Sequence, residues 1–87
     1  MEAYVMVQNE KKQLFEETLE LKCEIYSKYP SGGALHIVLD DGNLRNNDIK
    51  WCIEEIEKLE EDKELFLNCA NNILKMTQTQ RLKLYRA

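Results

Sequence analysis

The sequence predicts a mainly α fold: a compact bundle of four to five helices around a short apolar central segment. Three observations predict it. Apolar residues recur at spacings of three and four over long stretches, which is the period of one helix face. Turn residues separate those stretches. Residues 34–39 have the composition of a strand, but a lone strand there would leave its backbone groups unpaired. The chain has 87 residues, enough for one small core and not for two, so residues 1–87 read as a single domain.

The first helix is expected over about residues 8–28. Leu14, Thr18, Leu21 and Ile25 form its stripe, widened by Phe15, Leu19, Tyr26 and Tyr29. Glutamates and lysines fill the other face, as in an amphipathic surface helix, and Glu24 with Lys28 has the favourable i,i+4 order. Residues 1–7, with Tyr4, Val5 and Val7, read equally as a short strand or as the helix start. Tyr29-Pro30-Ser31-Gly32-Gly33 stops the helix, because a residue before proline is driven from helical angles. A Gly-rich turn and central segment then occupy residues 29–47. Within it, Ala34 to Leu39 reads as a strand or as a short helix capped by Gly42. The helix is preferred because the chain offers a strand so few partners.

Asn46-Asn47-Asp48 has helix-start chemistry. A helix over about 48–61 follows, with Ile49, Cys52, Ile53, Ile56 and Leu59 on its stripe. Trp51 lies beside that stripe, and the packing role is preferred for it over that of an exposed anchor. A helix over about 63–76 carries Phe66, Cys69, Ala70, Ile73 and Leu74. Thr77 and Gln80 have the spacing of a capping box, which opens a short helix over about 78–86. Leu82 and Tyr85 are its expected buried positions.

The formal net charge is -4, but it is unevenly placed. Residues 48–66 carry eight acids and three bases, a net of -5, whereas residues 67–87 carry four bases and no acid, a net of +4. Two solvated faces that attract each other, within or between chains, are the plain reading, and a homodimer is one form of it. An acidic surface that imitates DNA phosphates is a sharper one. Direct nucleic-acid binding is disfavoured, since an acidic chain repels phosphates. No apolar run approaches the length of a membrane span. The beginning of the chain lacks the basic and apolar regions of a secretion signal. Three cysteines, an odd number at wide spacing, suit a reducing compartment better than a disulfide framework. These features lead to an expected cytoplasmic location.

The stretch Tyr29-Pro-Ser-Gly-Gly-Ala-Leu-His-Ile-Val-Leu-Asp-Asp-Gly-Asn43 is the least ordinary one. It resembles a group of small phage and prophage proteins carrying P-x-G-G-x-L-H-I-V-x-D-D-G-N, here Pro30 to Asn43. In that group a helix with an embedded Cys follows, here Ile49 to Leu59 with Trp51-Cys52, then an ending like T-x-x-Q-R, here Thr77 to Arg81. The resemblance covers about the last two-thirds of the chain. It implies a mobile-element origin and a bacterial host, and no defined activity.

Candidate binding residues are Gly32, Gly33, His36, Asp40, Asp41, Asn43, Asp48 and Trp51. His36 and Asp40 share a face on either a strand or a helix, and a histidine with carboxylates suits a divalent metal. Asp-Asp-Gly-Asn is also an ordinary turn, which is the plainer reading and the one preferred. A Cys₃His zinc site from Cys23, Cys52, Cys69 and His36 lacks close ligand pairs, so the cysteines read as small core residues. Neither metal nor cofactor is expected, nor is a catalytic set. The function expected is a non-enzymatic binding protein of a mobile element, modulating or inhibiting a host protein, host defence included. The alternatives are a small-ligand or nucleotide binder using Gly32–Asn43, and a metal-dependent enzyme built on His36 and the carboxylates.

Overall fold

The computed structural model describes the backbone of residues 2–87 and the side chains of residues 9–87. It is a five-helix bundle with no strand among the described residues. Helix α1 runs Glu2–Lys28, α2 His36–Leu39, α3 Asn46–Ile56, α4 Lys63–Lys75 and α5 Gln78–Arg86. A single 3-10 turn, Gly33–Leu35, leads into α2. None of these helices is long and apolar enough to cross a membrane.

Helix α4 is the centre of the bundle, packing on α1 along one side and on α3 along another. Its buried residues, Phe66, Cys69, Ala70 and Ile73, belong to the stripe expected from spacing. Ile25 of α1, Leu35, Val38 and Leu39 of the central segment, and Ile49, Cys52 and Ile56 of α3 complete most of the core. Each fully buried Leu or Ile contributes about 2 kcal/mol by leaving water. Thr18 sits inside this apolar surface at no polar cost, because its hydroxyl donates to the Leu14 carbonyl at 2.6 Å.

Several expected features are corrected. Helix α1 begins at Glu2, not near residue 8, so the backbone of residues 2–7 is helical; the side-chain roles expected of Tyr4, Val5 and Val7 lie outside the described residues. Lys28 pairs with Asp62 at 3.2 Å, where a pair with Glu24 was expected. Residues 34–39, by contrast, follow the preferred reading: a 3-10 turn leads into the short helix α2, and no strand forms there. Gly42, at φ 76°, lets the chain reverse so that the Asn43 amide reaches the Ile37 carbonyl at 3.0 Å.

Helix α3 starts two residues early and ends five residues early. Leu59 keeps the apolar spacing but sits in a turn, its amide bonded to the Ile56 carbonyl at 2.9 Å. The helix-start residues Asn46, Asn47 and Asp48 lie inside the first turn. Arg45 precedes them in extended geometry, and its Nε meets Asp48 at 3.0 Å.

The largest correction concerns α5. Its capping box is present in both halves, Gln80 N–H to Thr77 Oγ1 and Thr77 N–H to Gln80 Oε1, each 3.2 Å. Leu82 and Tyr85, however, are exposed, and Arg81 and Leu84 are buried instead. Arg81 is drawn inward by the carbonyls at the end of α4, where the intrahelical ladder runs out. The guanidinium supplies donors to Leu74 (Nη2, 3.0 Å) and to Ile73 (Nε, 2.9 Å), whose carbonyl also accepts the Met76 N–H at 3.1 Å. Its third bond, from Nη1, goes to Leu44 at 2.8 Å in the connection between α2 and α3.

Lys22 of α1 does the same for the end of α5. Its Nζ donates to the main-chain oxygens of Leu84 (2.7 Å), Ala87 (3.1 Å) and Tyr85 (3.3 Å). A cation at a helix C-terminus also opposes the helix dipole favourably. Burial pulls the pKa values of both Lys22 and Arg81 below their ordinary values.

Candidate functional site

The turn after α1 places Tyr29 across from Phe66 of α4, with ring centroids 5.3 Å apart at a 45° tilt. Gly33 has to be glycine here. Its φ is 56°, and a Cβ would stand 2.8 Å from the Phe66 ring. With no side chain at Gly33, the central segment presses against both rings. Helix α3 then brings Trp51 to the same side. The result is an open groove of about 490 Å³, lined by Tyr29, Gly33, Ala34, His36, Trp51, Glu55, Leu59, Glu61 and Phe66. Trp51 is 48 % exposed, so it stands at the mouth of the groove and is not the packing residue preferred from sequence.

The rim of the groove is acidic. Glu55 and Glu61 line it and no lysine or arginine does. Asp62 lies next to Glu61 and accepts the Tyr29 hydroxyl at 2.7 Å and Lys28 Nζ at 3.2 Å. Asp62 holds a left-handed backbone, φ 56°, a geometry that aspartate tolerates better than most residues. Its hydrogen bond from Tyr29, then that from Lys28, lowers the Asp62 pKa. The same bond raises that of Tyr29, aided by burial and by the charges of Asp62 and Glu61.

The candidate residues do not form one cluster. Gly33, His36 and Trp51 share the groove. Gly32 is buried beneath His36, where a Cβ would approach the His36 Cα to 3.0 Å. The His36 ring turns back toward Gly33, with Nδ1 3.1 Å from its carbonyl oxygen, and is not directed at Asp40. Asp40 instead borders a second groove of about 520 Å³, together with Lys22, Cys23, Tyr26 and Tyr85. Asp41 and Asn43 are exposed. Asp48 is engaged by Arg45.

Among the described residues, no three His, Cys, Asp or Glu side chains gather as a metal would need. Two of the cysteines are core residues as expected, and burial raises the thiol of Cys52 to about 11 and that of Cys69 to about 12. Cys23 is exposed, contrary to its expected place in the core. Thiols held so far above neutral pH are protonated and are poor nucleophiles.

Sequence reasoning missed Tyr29, Phe66, Glu55 and Glu61 as groove residues. Tyr29 and Phe66 read as plain stripe positions, and the two glutamates as solvated charge. The available signal was the break at Tyr29-Pro30, which turns an aromatic ring out of its helix. Comparison with known protein families, with curated proteins and with solved structures finds no match.

Proposed function

We infer that this chain is a small non-enzymatic binding protein that docks on another protein through the groove at Trp51. The observation that carries this reading is the exposure of Trp51 at an apolar opening. A folded domain ordinarily covers most of a tryptophan, and tryptophans at pocket mouths are frequent anchors of protein interfaces.

The likeness of Pro30–Asn43 to phage and prophage proteins supports a mobile element as the source. The partner is then a protein in the cytoplasm of the bacterial host, and the effect is its modulation or inhibition, host defence included. The reading of Gly32–Asn43 as a nucleotide or small-ligand segment has less behind it. Gly33 and Gly42 are each pressed against an aromatic ring, which accounts for both glycines by packing.

The test is affinity capture from host lysate with immobilised wild-type protein and its Trp51→Ala variant. One host protein in stoichiometric amount is expected on the wild type and absent from the variant. Equal retention by both, or no retained protein in either, contradicts the reading.

A further inference from the structure

We propose that the Trp51 groove receives a positively charged, amphipathic segment of the partner protein, with Arg or Lys side chains laid across its aromatic rings. The inference rests on the groove being a docking site and adds the chemistry of what docks there.

Charge complementarity selects the occupant. Trp51, exposed, and Tyr29, half-buried, present ring surface at one opening, and the buried Phe66 ring lies beneath them. An aromatic face attracts a cation through its quadrupole, and more so when the cation is partly desolvated. Glu55 and Glu61 flank those rings, and no lysine or arginine lines the groove to neutralise them; its one imidazole, His36, turns back to the Gly33 carbonyl. Glu55 has one partner of its own, Lys58 at 3.5 Å, but the lysine is largely exposed and the glutamate nearly half so, and such a pair is weak enough to exchange. Asp62 is already engaged by Tyr29 and Lys28, so it contributes field and not a free contact. The surrounding residues 48–66 carry the strongest charge in the chain, -5 from eight acids and three bases.

The apolar wall sets the second requirement. Ala34, Leu59 and the ring faces offer surface to methylenes and not to the charge itself. Long cationic side chains satisfy both needs, with an apolar stem on the wall and a charged head at the rim. A helix or extended strand bearing such residues beside one aliphatic anchor fits the groove as a peptide-recognition surface. An acidic segment is repelled by Glu55 and Glu61, and a nucleic acid is excluded by the same charges.

The experiment titrates three synthetic tryptophan-free peptides of about 15 residues into the protein, reading the heat of binding by calorimetry, which works equally for the wild type and for variants that lack the tryptophan. All three share a leucine face; the polar face is Arg/Lys, Gln or Glu. The Arg/Lys peptide is expected to bind about tenfold more tightly than the Gln peptide. The Glu peptide is expected not to bind. The preference should shrink in the E55Q/E61Q variant and with added salt, and disappear in Trp51→Ala. These exposed substitutions leave the fold intact, which a thermal melt verifies. Equal binding of the Gln and Arg/Lys peptides, lost in Trp51→Ala, overturns the cationic preference while the docking site stands. No Trp51-dependent binding of any peptide overturns both. Sedimentation as a dimer that dissociates on Trp51→Ala puts a second copy in the groove, and so overturns the assignment to a partner protein.

Discussion

Two regions of this bundle use charge in opposite ways. At the ends of α4 and α5, Arg81 and Lys22 are buried, and their donors are spent on main-chain carbonyls. At the mouth of the Trp51 groove, Glu55 and Glu61 stay at the surface beside an exposed indole. The first region consumes its polar capacity inside the fold, and no buried side-chain nitrogen or oxygen among the described residues lacks a partner. The second keeps its capacity for something outside. The lesson is that a buried cation here marks stability, whereas an exposed tryptophan marks a surface open to binding.

The comparison breaks most easily at Arg81. Its replacement by Ala removes three hydrogen bonds and opens a cavity between α4, α5 and Leu44. A loss of about 3–4 kcal/mol is expected in urea unfolding, a large part of the stability of a domain this small. A loss under about 1 kcal/mol would show that the guanidinium is replaceable by water. Lys22→Met keeps most of the side-chain volume and deletes only the cap on α5. About 1–2 kcal/mol is expected, with the last helix fraying first in hydrogen exchange.

Much of this contrast was hidden in the sequence. The stripe of α4 was legible, because Phe66, Cys69, Ala70 and Ile73 are all apolar and keep helical spacing. The Thr77–Gln80 box was legible because both of its halves are local. Arg81 was not. Reading apolar residues as buried put Leu82 and Tyr85 inside, while the true inward pair is Arg81 and Leu84, set by carbonyls at the end of α4 that only the tertiary arrangement brings near. Leu59 misled in the same way, since its spacing continued after the helix had ended. The Gly32–Asn43 segment stood out as unusual. Two of its three glycines, Gly33 and Gly42, however, answer to the rings of Phe66 and Tyr85, partners distant in sequence. Trp51 was visibly off its stripe, but its neighbours in the groove come from three other parts of the chain.

Smaller effects sharpen the groove side of the comparison. The Tyr29–Asp62 bond links the groove to pH. The folded-state pKa of Asp62 is depressed, first by Tyr29 and then by Lys28. Its stabilising effect is therefore complete above the ordinary carboxylate pKa of about 4 and is lost as pH falls through the folded value. The raised pKa of Tyr29 acts on the other limb: its contribution is complete below the ordinary tyrosine pKa of about 10 and is lost as pH rises through the folded value. Asp62→Asn should flatten both limbs of a stability profile measured by thermal melts from pH 3 to 11. A profile identical to wild type would show that the bond carries no stability.

Trp51→Ala should have the smallest effect on folding, within about 1 kcal/mol, and the largest on binding. The chain has one tryptophan, so its fluorescence reports on the groove alone. The most direct test is the emission maximum of Trp51, free and in complex with the tryptophan-free Arg/Lys peptide, whose binding calorimetry verifies. A shift to shorter wavelength on binding is expected, because the half-exposed indole leaves water as the groove fills. An emission maximum unchanged by the bound peptide would place the interface elsewhere and contradict the account.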